Sequence, residues 1–580
     1  RILNAASDRF FNLSLYEADA SGTEVALNPA EVAAALNNPA GVFPTPIAPP
    51  GPSWIQIGTE GGFLPAPVVV PPQPITWVTD PTVFNAGNVD QHSLLLGPAE
   101  RADVIVDFSQ FAGKTLILYN DAPAAFPARD PRYDYYTGNP DLRDTGGAPS
   151  TLPGYGPNTR TVLQIKIAAI NPAPAFNLGA LETAFKSTKL GGQGIFESSQ
   201  NPIIVGQGAY NSAYGTNFQN NGPLDGLVRI TDFSFTFQTL SGVQINNFPL
   251  QPKAIQDEMG EAFDKEYGRM SGNLGLEVPL TQAGVQQNLI LYPYVNPASE
   301  LIDASNLPKA NMAVTPLMSL NDGTQIWKIT HNGVDTHPIH VHLFDVQLVN
   351  RVGWDGIIRK PDANELGWKD TVRVSPLEDT IVALRPVIPA VPFDLPNSIR
   401  PLNPMMPLGS TLMFTNTDAN GNPTAPIINT LTNFGWEYVW HCHILSHEEM
   451  DMMRPISVAI PPRAPSSLNG TISGNGTNRR SNLTWTDNSL NETAFVVQRA
   501  TSPAGPWSVL ASLPANTVSY SDPIGNTTQI FFYQVIASNQ VGYSGIPGYS
   551  TITTTAASNI LALGPLPAAP SALTATVQNG

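Results

Sequence analysis

The feature that most limits what this chain can be is the stretch Trp440-His441-Cys442-His443-Ile444-Leu445-Ser446-His447-Glu448-Glu449-Met450-Asp451-Met452-Met453. It holds three of the eight histidines, the only cysteine and three of the ten methionines. Thiolate, imidazole and thioether donors gathered this closely suit copper, and a His/His/Cys set with a weak methionine fits an electron-transfer copper site. Whatever fold the chain takes must bring the partners of this stretch to it.

A second cluster, His337-Pro338-Ile339-His340-Val341-His342, supplies them. Side chains alternate between the two faces of a strand. His340 and His342 therefore point one way, and His337, three residues earlier, tends the other way. In the later stretch His441 and His443 share one face and Cys442 takes the opposite one. If the two strands are neighbours, His337 and Cys442 meet on one side, while His340, His342, His441 and His443 gather on the other. His447 and Met452 lie just past the strand end and can fold back to complete the thiolate site. Core packing does not produce six of eight histidines in two clusters of matched parity. Structural zinc wants a closed tetrahedral set, usually with more thiolates. A single blue-copper carrier leaves four histidines without a role.

The rest of the chain reads as all-β. Short Val/Thr/Ile-rich runs are punctuated by 56 prolines and 47 glycines, and only 13% of residues are charged. Strand candidates are Phe10–Leu15, Trp54–Ile57, Val68–Val70, Leu94–Phe108, Thr115–Tyr119, Leu163–Ile167, Val228–Ile230, Phe233–Phe237 and Gln325–Thr330. Residues 171–227, rich in Gly, Asn, Gln and Ser, read as a linker or long connection. A short helix is expected over Ile255–Tyr267, with Asp257 and Glu258 placed to complement its dipole. A net charge of −17 and a pI near 4.8 exclude the basic face that nucleic-acid binding needs. No apolar run reaches the ~18 residues of a membrane span. The chain opens on Arg1-Ile2-Leu3, already strand-like and without a signal-peptide pattern, and reads as a fragment or processed product.

After Pro461-Pro462 the composition changes: His and Met vanish and Asn, Ser and Thr dominate. Residues 463–558 resemble a fibronectin type III domain, with Trp485 as its core aromatic and Tyr533 on a late strand. Ala464-Pro465-Ser466-Ser467-Leu468 recurs as Ala569-Pro570-Ser571-Ala572-Leu573. Residues 559–580 therefore read as a linker and the start of a second repeat.

The motifs His-Pro-x-His-x-His at 337–342 and His-Cys-His-x3-His-x4-Met at 441–452 resemble those of the multicopper oxidases, the laccase-like bacterial family of cupredoxin domains. Trp368-Lys369-Asp370-Thr371-Val372 and Gly97-Pro98-Ala99-Glu100-Arg101-Ala102-Asp103 add support. The resemblance implies two cupredoxin-like Greek-key β-sandwiches, at 1–170 and 228–462, as the second and third domains of a three-domain oxidase. It makes His337, Cys442 and His447 type 1 copper ligands with Met452 axial. It assigns His340 to type 2 copper, and His342, His441 and His443 to the binuclear type 3 pair. Four coppers per complete assembly are implied, with O2 as acceptor. Glu448 resembles an acidic residue linked to proton delivery.

The family's trinuclear cluster takes eight histidines, and this chain has four for it. His92 and His331 form no HxH pair. The resemblance therefore implies an N-terminal cupredoxin domain or chain carrying two further HxH motifs. Glu448, Glu449 and Asp451 suit Mn(II) or Fe(II) as electron donor; Met405, Met406, Met413, Met450 and Met453 suit Cu(I); a phenol needs only an exposed groove. The rival reading is a copper-containing cell-surface electron-transfer or adhesion protein without oxidase turnover. The family and the appended repeats imply an extracellular, cell-surface or periplasmic location.

Overall fold

The computed structural model describes residues 1–580 apart from 38–42, 84, 125, 128–131, 133, 135, 172, 189–191, 219–225, 228–232, 239–243, 251–261, 265–268, 272–274, 278–287, 291–300, 304–323, 332, 334, 354, 415, 417–423, 451, 544–550 and 565–580. The expected strand Val228–Ile230, the donor Asp451 and the start of a second repeat lie outside the described residues.

The N-terminal part is a sandwich of two four-stranded antiparallel sheets. One runs in the order Ile2–Leu3, Arg101–Val106, Trp54–Thr59, Gly62–Val70; the other Leu94–Leu96, Phe11–Glu17, Thr115–Asn120, Thr161–Lys166. Leu13, Leu15, Trp54, Leu94, Leu96 and Leu116 fill the space between them. The run read as Leu94–Phe108 is two strands, because Gly97-Pro98-Ala99-Glu100 turns the chain from one sheet to the other. Ala99 takes φ 68° in that turn.

Within residues 171–227 the described residues include short packed helices. Helices at Leu178–Phe185, Ile195–Ser199 and Asn211–Tyr214 pack through buried Phe196 and Tyr210. The Tyr210 hydroxyl accepts from the Gly367 N–H at 2.9 Å, and Trp368 Nε1 donates to the Asn201 carbonyl at 2.8 Å. Aromatic residues spaced through a polar, glycine-rich stretch carry this packing, and composition averages them away. The helix expected over Ile255–Tyr267 falls mostly outside the described residues. Its described part, Ala262–Asp264, is instead a strand paired with Arg269–Ser271.

A second sandwich carries both histidine clusters. One sheet runs Leu301–Asp303, Met453–Ala459, Trp436–Cys442, His337–Val341, Thr371–Val374. The other runs Gln325–His331, Glu378–Pro386, Phe344–Gly353, Ile358–Arg359, with Trp368–Lys369 also paired to Phe344–Gly353. Val346, Leu348, Val382, Leu384, Ile456 and Val458 pack between them, and Phe10, Leu95 and Phe126 of the first sandwich join the same core. The two sandwiches also share a buried ionic chain. Lys369 Nζ lies 2.8 Å from Glu60 and 3.3 Å from Glu100; Arg373 bridges Glu100 and Glu365; Arg351 bonds Glu365. Gly61 has no side chain because a Cβ there would come within 2.3 Å of the Trp368 backbone.

Residues 466–563 form a third sandwich. Ser466–Ser473, Arg480–Thr486 and Ser519–Pro523 make one sheet, facing strands Ala494–Ala500, Ser508–Pro514, Phe531–Gly542, Thr551–Ala557 and Leu561–Leu563. Trp485, Phe495, Val497, Tyr533 and Val535 are its core. The larger sheet does not stop at the sandwich: Leu431–Asn433, followed by Ile399–Pro401 from the side of the histidine-bearing sandwich, continues it through the pair Asn433↔Gly542. Leu402, Phe414, Ile427 and Phe434 then pack with Val541, Tyr543 and Ile552 across the junction.

Candidate metal centre

The two clusters lie on neighbouring antiparallel strands. His337–Val341 pairs with Trp436–Cys442 in the register Ile339↔Cys442, His340↔His441, Val341↔Trp440. Opposed residues share a face, and so do residues two apart. The register therefore puts His337 with Cys442 on the inner face and His340 with His441 on the outer one. Beyond Cys442 the strand ends, and the His443 N–H donates to the Pro338 carbonyl at 2.8 Å.

The one-turn helix Leu445–Glu449 then reverses the chain. Its start is pinned by the first sandwich: the Leu445 N–H donates to the Ser7 carbonyl, and Ser446 bonds the Asp8 carboxylate through N–H and hydroxyl. The Met452 N–H donates to the His447 carbonyl and the Cys442 N–H to the Met452 carbonyl, at 3.0 and 3.1 Å. This closed loop returns His447 to Cys442 and buries Met452 in one core cluster with Cys442.

On the inner side, His337 Nδ1 lies 3.3 Å from Cys442 Sγ, His447 Nδ1 lies 3.5 Å from it, and the two nitrogens are 3.1 Å apart. A point equidistant from three atoms at these separations is about 1.9 Å from each, close to the ~2.0–2.3 Å of metal–nitrogen and metal–sulfur bonds. The donor set fits one metal ion. All three side chains are buried. Burial first, then the neighbouring His331 and His447, holds the His337 imidazole well below its usual range, in the neutral form a metal needs.

On the outer side, His342 Nε2 lies 3.1 Å from His441 Nε2, and His340 joins them within metal-sharing distance. The His443 ring is 5.3 Å from that of His441 and 5.7 Å from that of His340. His340 Nδ1 is engaged by the Asp370 carbonyl at 2.9 Å and the Thr371 hydroxyl at 3.1 Å, so its Nε2 is the nitrogen available to a metal. His441 Nδ1 is engaged by the Cys442 carbonyl at 3.0 Å, with Glu448 at 3.5 Å. Burial, then the neighbouring imidazoles, pushes His342 down to about 4. Burial would raise the Asp370 carboxyl, but hydrogen bonds with His340, Arg101 and Thr371 outweigh it and hold it below the usual range. This side is open: His342 is exposed, and His340 and His443 are half-buried.

Seven of the eight candidate ligands thus gather at two adjacent places, three donors within and four imidazoles without, with Cys442 between them in the chain, while Met452 is buried in the same core cluster as Cys442. Glu448 stands beside His441 and is half-buried. Glu449 and Met450 are exposed on the turn after His447, while Met405 and Met413 are exposed on the 402–414 excursion, toward the third sandwich. Sequence reading missed the groups around the ligands. Arg101 pairs with Asp370, joining two segments noted only as supporting motifs. Buried Asp335 places Oδ2 4.0 Å from His447 Nε2. His331, set aside for lacking an HxH partner, packs its ring 4.7 Å from that of His337.

Fold and site together define a β-sandwich protein with paired, copper-type donor sets. Residues 292–391 match the family described as multicopper oxidase. The chain is 31% identical over 151 residues to a laccase of Bacillus subtilis (strain 168), covering 24% of this chain and 21% of that protein. It is 30% identical over 138 residues to a laccase of Haloferax volcanii, covering 24% and 16%. Among solved structures it is similar to the McoA multicopper oxidase of the hyperthermophile Aquifex aeolicus, at 16% identity and TM-score 0.31, covering 78% of this chain and 53% of that one. The matched stretch spans about a fifth of the length of these laccases. Part of the copper-site sandwich is thus similar to the multicopper oxidases, and a stretch of about 150 residues is similar to laccases.

Proposed function

We propose that the chain is the second and third cupredoxin domains of a multicopper oxidase, followed by a fibronectin type III domain. The observation that supports this is the strand register Ile339↔Cys442 and His340↔His441, which puts His337 and Cys442 on one face of the sheet and His340 and His441 on the other. His337, Cys442 and His447, with Met452 nearby, would hold type 1 copper. His340 would hold type 2 copper, and His342, His441 and His443 the type 3 pair. Copper in these sites would supply one-electron redox chemistry, so that four single-electron oxidations of a donor furnish the electrons of O2 + 4 H+ + 4 e− → 2 H2O.

The protein's own contribution is placement. Cys442 is bonded through its backbone to His441 and His443, a short covalent path between the two faces. The buried inner site excludes water from the thiolate. Glu448, 3.5 Å from His441 Nδ1, is placed to move protons near the outer site. The exposure of His342 supports a partner surface there: an N-terminal cupredoxin domain, or a chain carrying two HxH motifs, would cover the four imidazoles and complete eight.

For the electron donor we favour Mn(II) or Fe(II) over a phenol, since Glu448 and Glu449 place hard oxygen donors beside the His447 turn. A location outside the cytoplasm accords with the family. Among the described residues no helix is long and apolar enough to cross a membrane.

Metal analysis with oxygen uptake tests the reading. About four coppers per completed assembly, with O2 consumed in the presence of Mn(II), Fe(II) or a phenolic dye, supports the oxidase. One copper and no uptake supports a carrier instead.

A further inference from the structure

We propose that His331 is a positioning residue of the thiolate site, seating His337 with its ring and bracing the turn that brings Asp335 to His447. The inference rests on reading His337, Cys442 and His447 as a metal site.

His331 ends the strand Gln325–His331, which belongs to the sheet opposite the ligand strands. It is 2% exposed. The Gly333 N–H donates to its Nδ1 at 3.0 Å, so Nε2 carries the proton and donates to the Asp335 carbonyl. Both ring nitrogens are therefore committed to the backbone of one short turn, in a single neutral tautomer. Coordinating a metal would break one of these buried hydrogen bonds, so His331 is not a further ligand. The ring also meets His337: the centroids are 4.7 Å apart and the planes inclined at 47°.

The turn that His331 closes reaches the second imidazole ligand as well. Asp335 is fully buried, and its carboxylate faces His447 Nε2 at 4.0 Å. The next residue is tied to the first sandwich, its N–H donating to the Phe126 carbonyl at 3.0 Å. One buried turn thus contacts two of the three donors, through a ring on one side and a carboxylate on the other. A core-filling residue needs the ring's volume alone. The two nitrogen contacts are what tie that volume to the placement of Asp335. Groups that orient metal ligands in this way typically change metal affinity by about 10–100-fold when replaced.

The test uses Co(II) as probe in the full chain, competed against a chelator. The readout is the near-ultraviolet thiolate-to-metal band, which only Cys442, the sole cysteine, can produce. His331→Ala is expected to weaken Co(II) binding about 10–100-fold and to shift the band. His331→Gln keeps an amide N–H where Nε2–H stood and is expected to fall between alanine and histidine. Melting midpoints of the metal-free variants are measured alongside. Lower midpoints with Co(II) affinity and band unchanged would mean His331 only supports the fold, and would overturn the inference. If His331→Ala does not fold, His331→Gln decides alone: unchanged affinity overturns the inference and weakened affinity supports it. No thiolate band in the unsubstituted chain would overturn the metal-site reading itself.

Discussion

Replacing Lys369 by Met is the sharpest test of how the two N-terminal sandwiches are held together. The ammonium sits 2.8 Å from Glu60 and 3.3 Å from Glu100, and all three side chains are at most 4% exposed. Methionine keeps most of the stem's packing but strands two buried carboxylates. Breaking a buried pair in this way costs ~3–5 kcal/mol. The lower end applies here for a structural reason. Glu100 keeps Arg373 at 3.3 Å and the Gly97 N–H at 2.7 Å, while Glu60 keeps the Arg101 and Thr371 N–H groups at 3.2 and 3.4 Å. A loss of ~3 kcal/mol corresponds to about 6–12 °C in the melting midpoint of a unit of this size. Thermal unfolding of the full chain, followed by the fluorescence of the adjacent Trp368, reads it. Adding Glu60→Gln removes one stranded charge, so the double variant should recover part of the loss, a coupling a double-mutant cycle isolates. A single variant within ~1 kcal/mol of the parent, or a double variant no better than the single, would refute the account, since ~1 kcal/mol is the ceiling for an exposed pair.

Other consequences follow from the same structure. On the proposed assignment Met452→Leu should raise the type 1 potential and keep the blue colour, because a weak axial donor would be lost while the three strong ones remain; an unchanged potential in a redox titration would rule out the axial role. Burial raises the Glu378 carboxyl to about 7, against opposing attraction from Arg351 and Arg359. The folded state then holds a proton that the unfolded chain has released, so this residue's contribution to stability falls as pH rises from about 4.5 to 7. Glu378→Gln should therefore gain on the parent across that window, and parallel stability–pH curves would contradict this. Asn539 bonds the Asn397 side chain and the Ile460 carbonyl at the junction with the third sandwich. Asn539→Ala should cost ~1–3 kcal/mol by leaving buried polar groups unsatisfied, and should separate the melting of the third sandwich from that of the copper-binding one; a single unshifted transition would speak against a fixed junction.

That last expectation shows where sequence reading stopped short. Composition changes at Pro461-Pro462, and from that change residues 463–558 read as a separate, fibronectin-like domain. The structure makes this part continuous with the copper-binding region through Asn433↔Gly542 and a shared apolar core. No local signal announces it, because Leu402, Phe434 and Val541 each look like ordinary strand or loop hydrophobics until the chain folds. Residues 171–227 misled for a related reason: a polar average hid the few aromatic residues that pack.

What the sequence determined by itself is the donor set and its two-sidedness. A strand's alternation is a covalent property of the backbone, so Cys442 must face away from His441 and His443 in any extended conformation. Spacing within 441–452 likewise puts His447 and Met452 just beyond the strand end, from where the chain can fold back. Tertiary structure decided which strand lies beside which, and in what register. A slip of one residue would have set Cys442 against the wrong face of the His337–Val341 strand. It also decided what surrounds the ligands: Arg101 reaches Asp370 across a domain boundary, and His331 reaches His337 from the opposite sheet. These contacts join residues hundreds of positions apart or on different layers, and only packing brings them together.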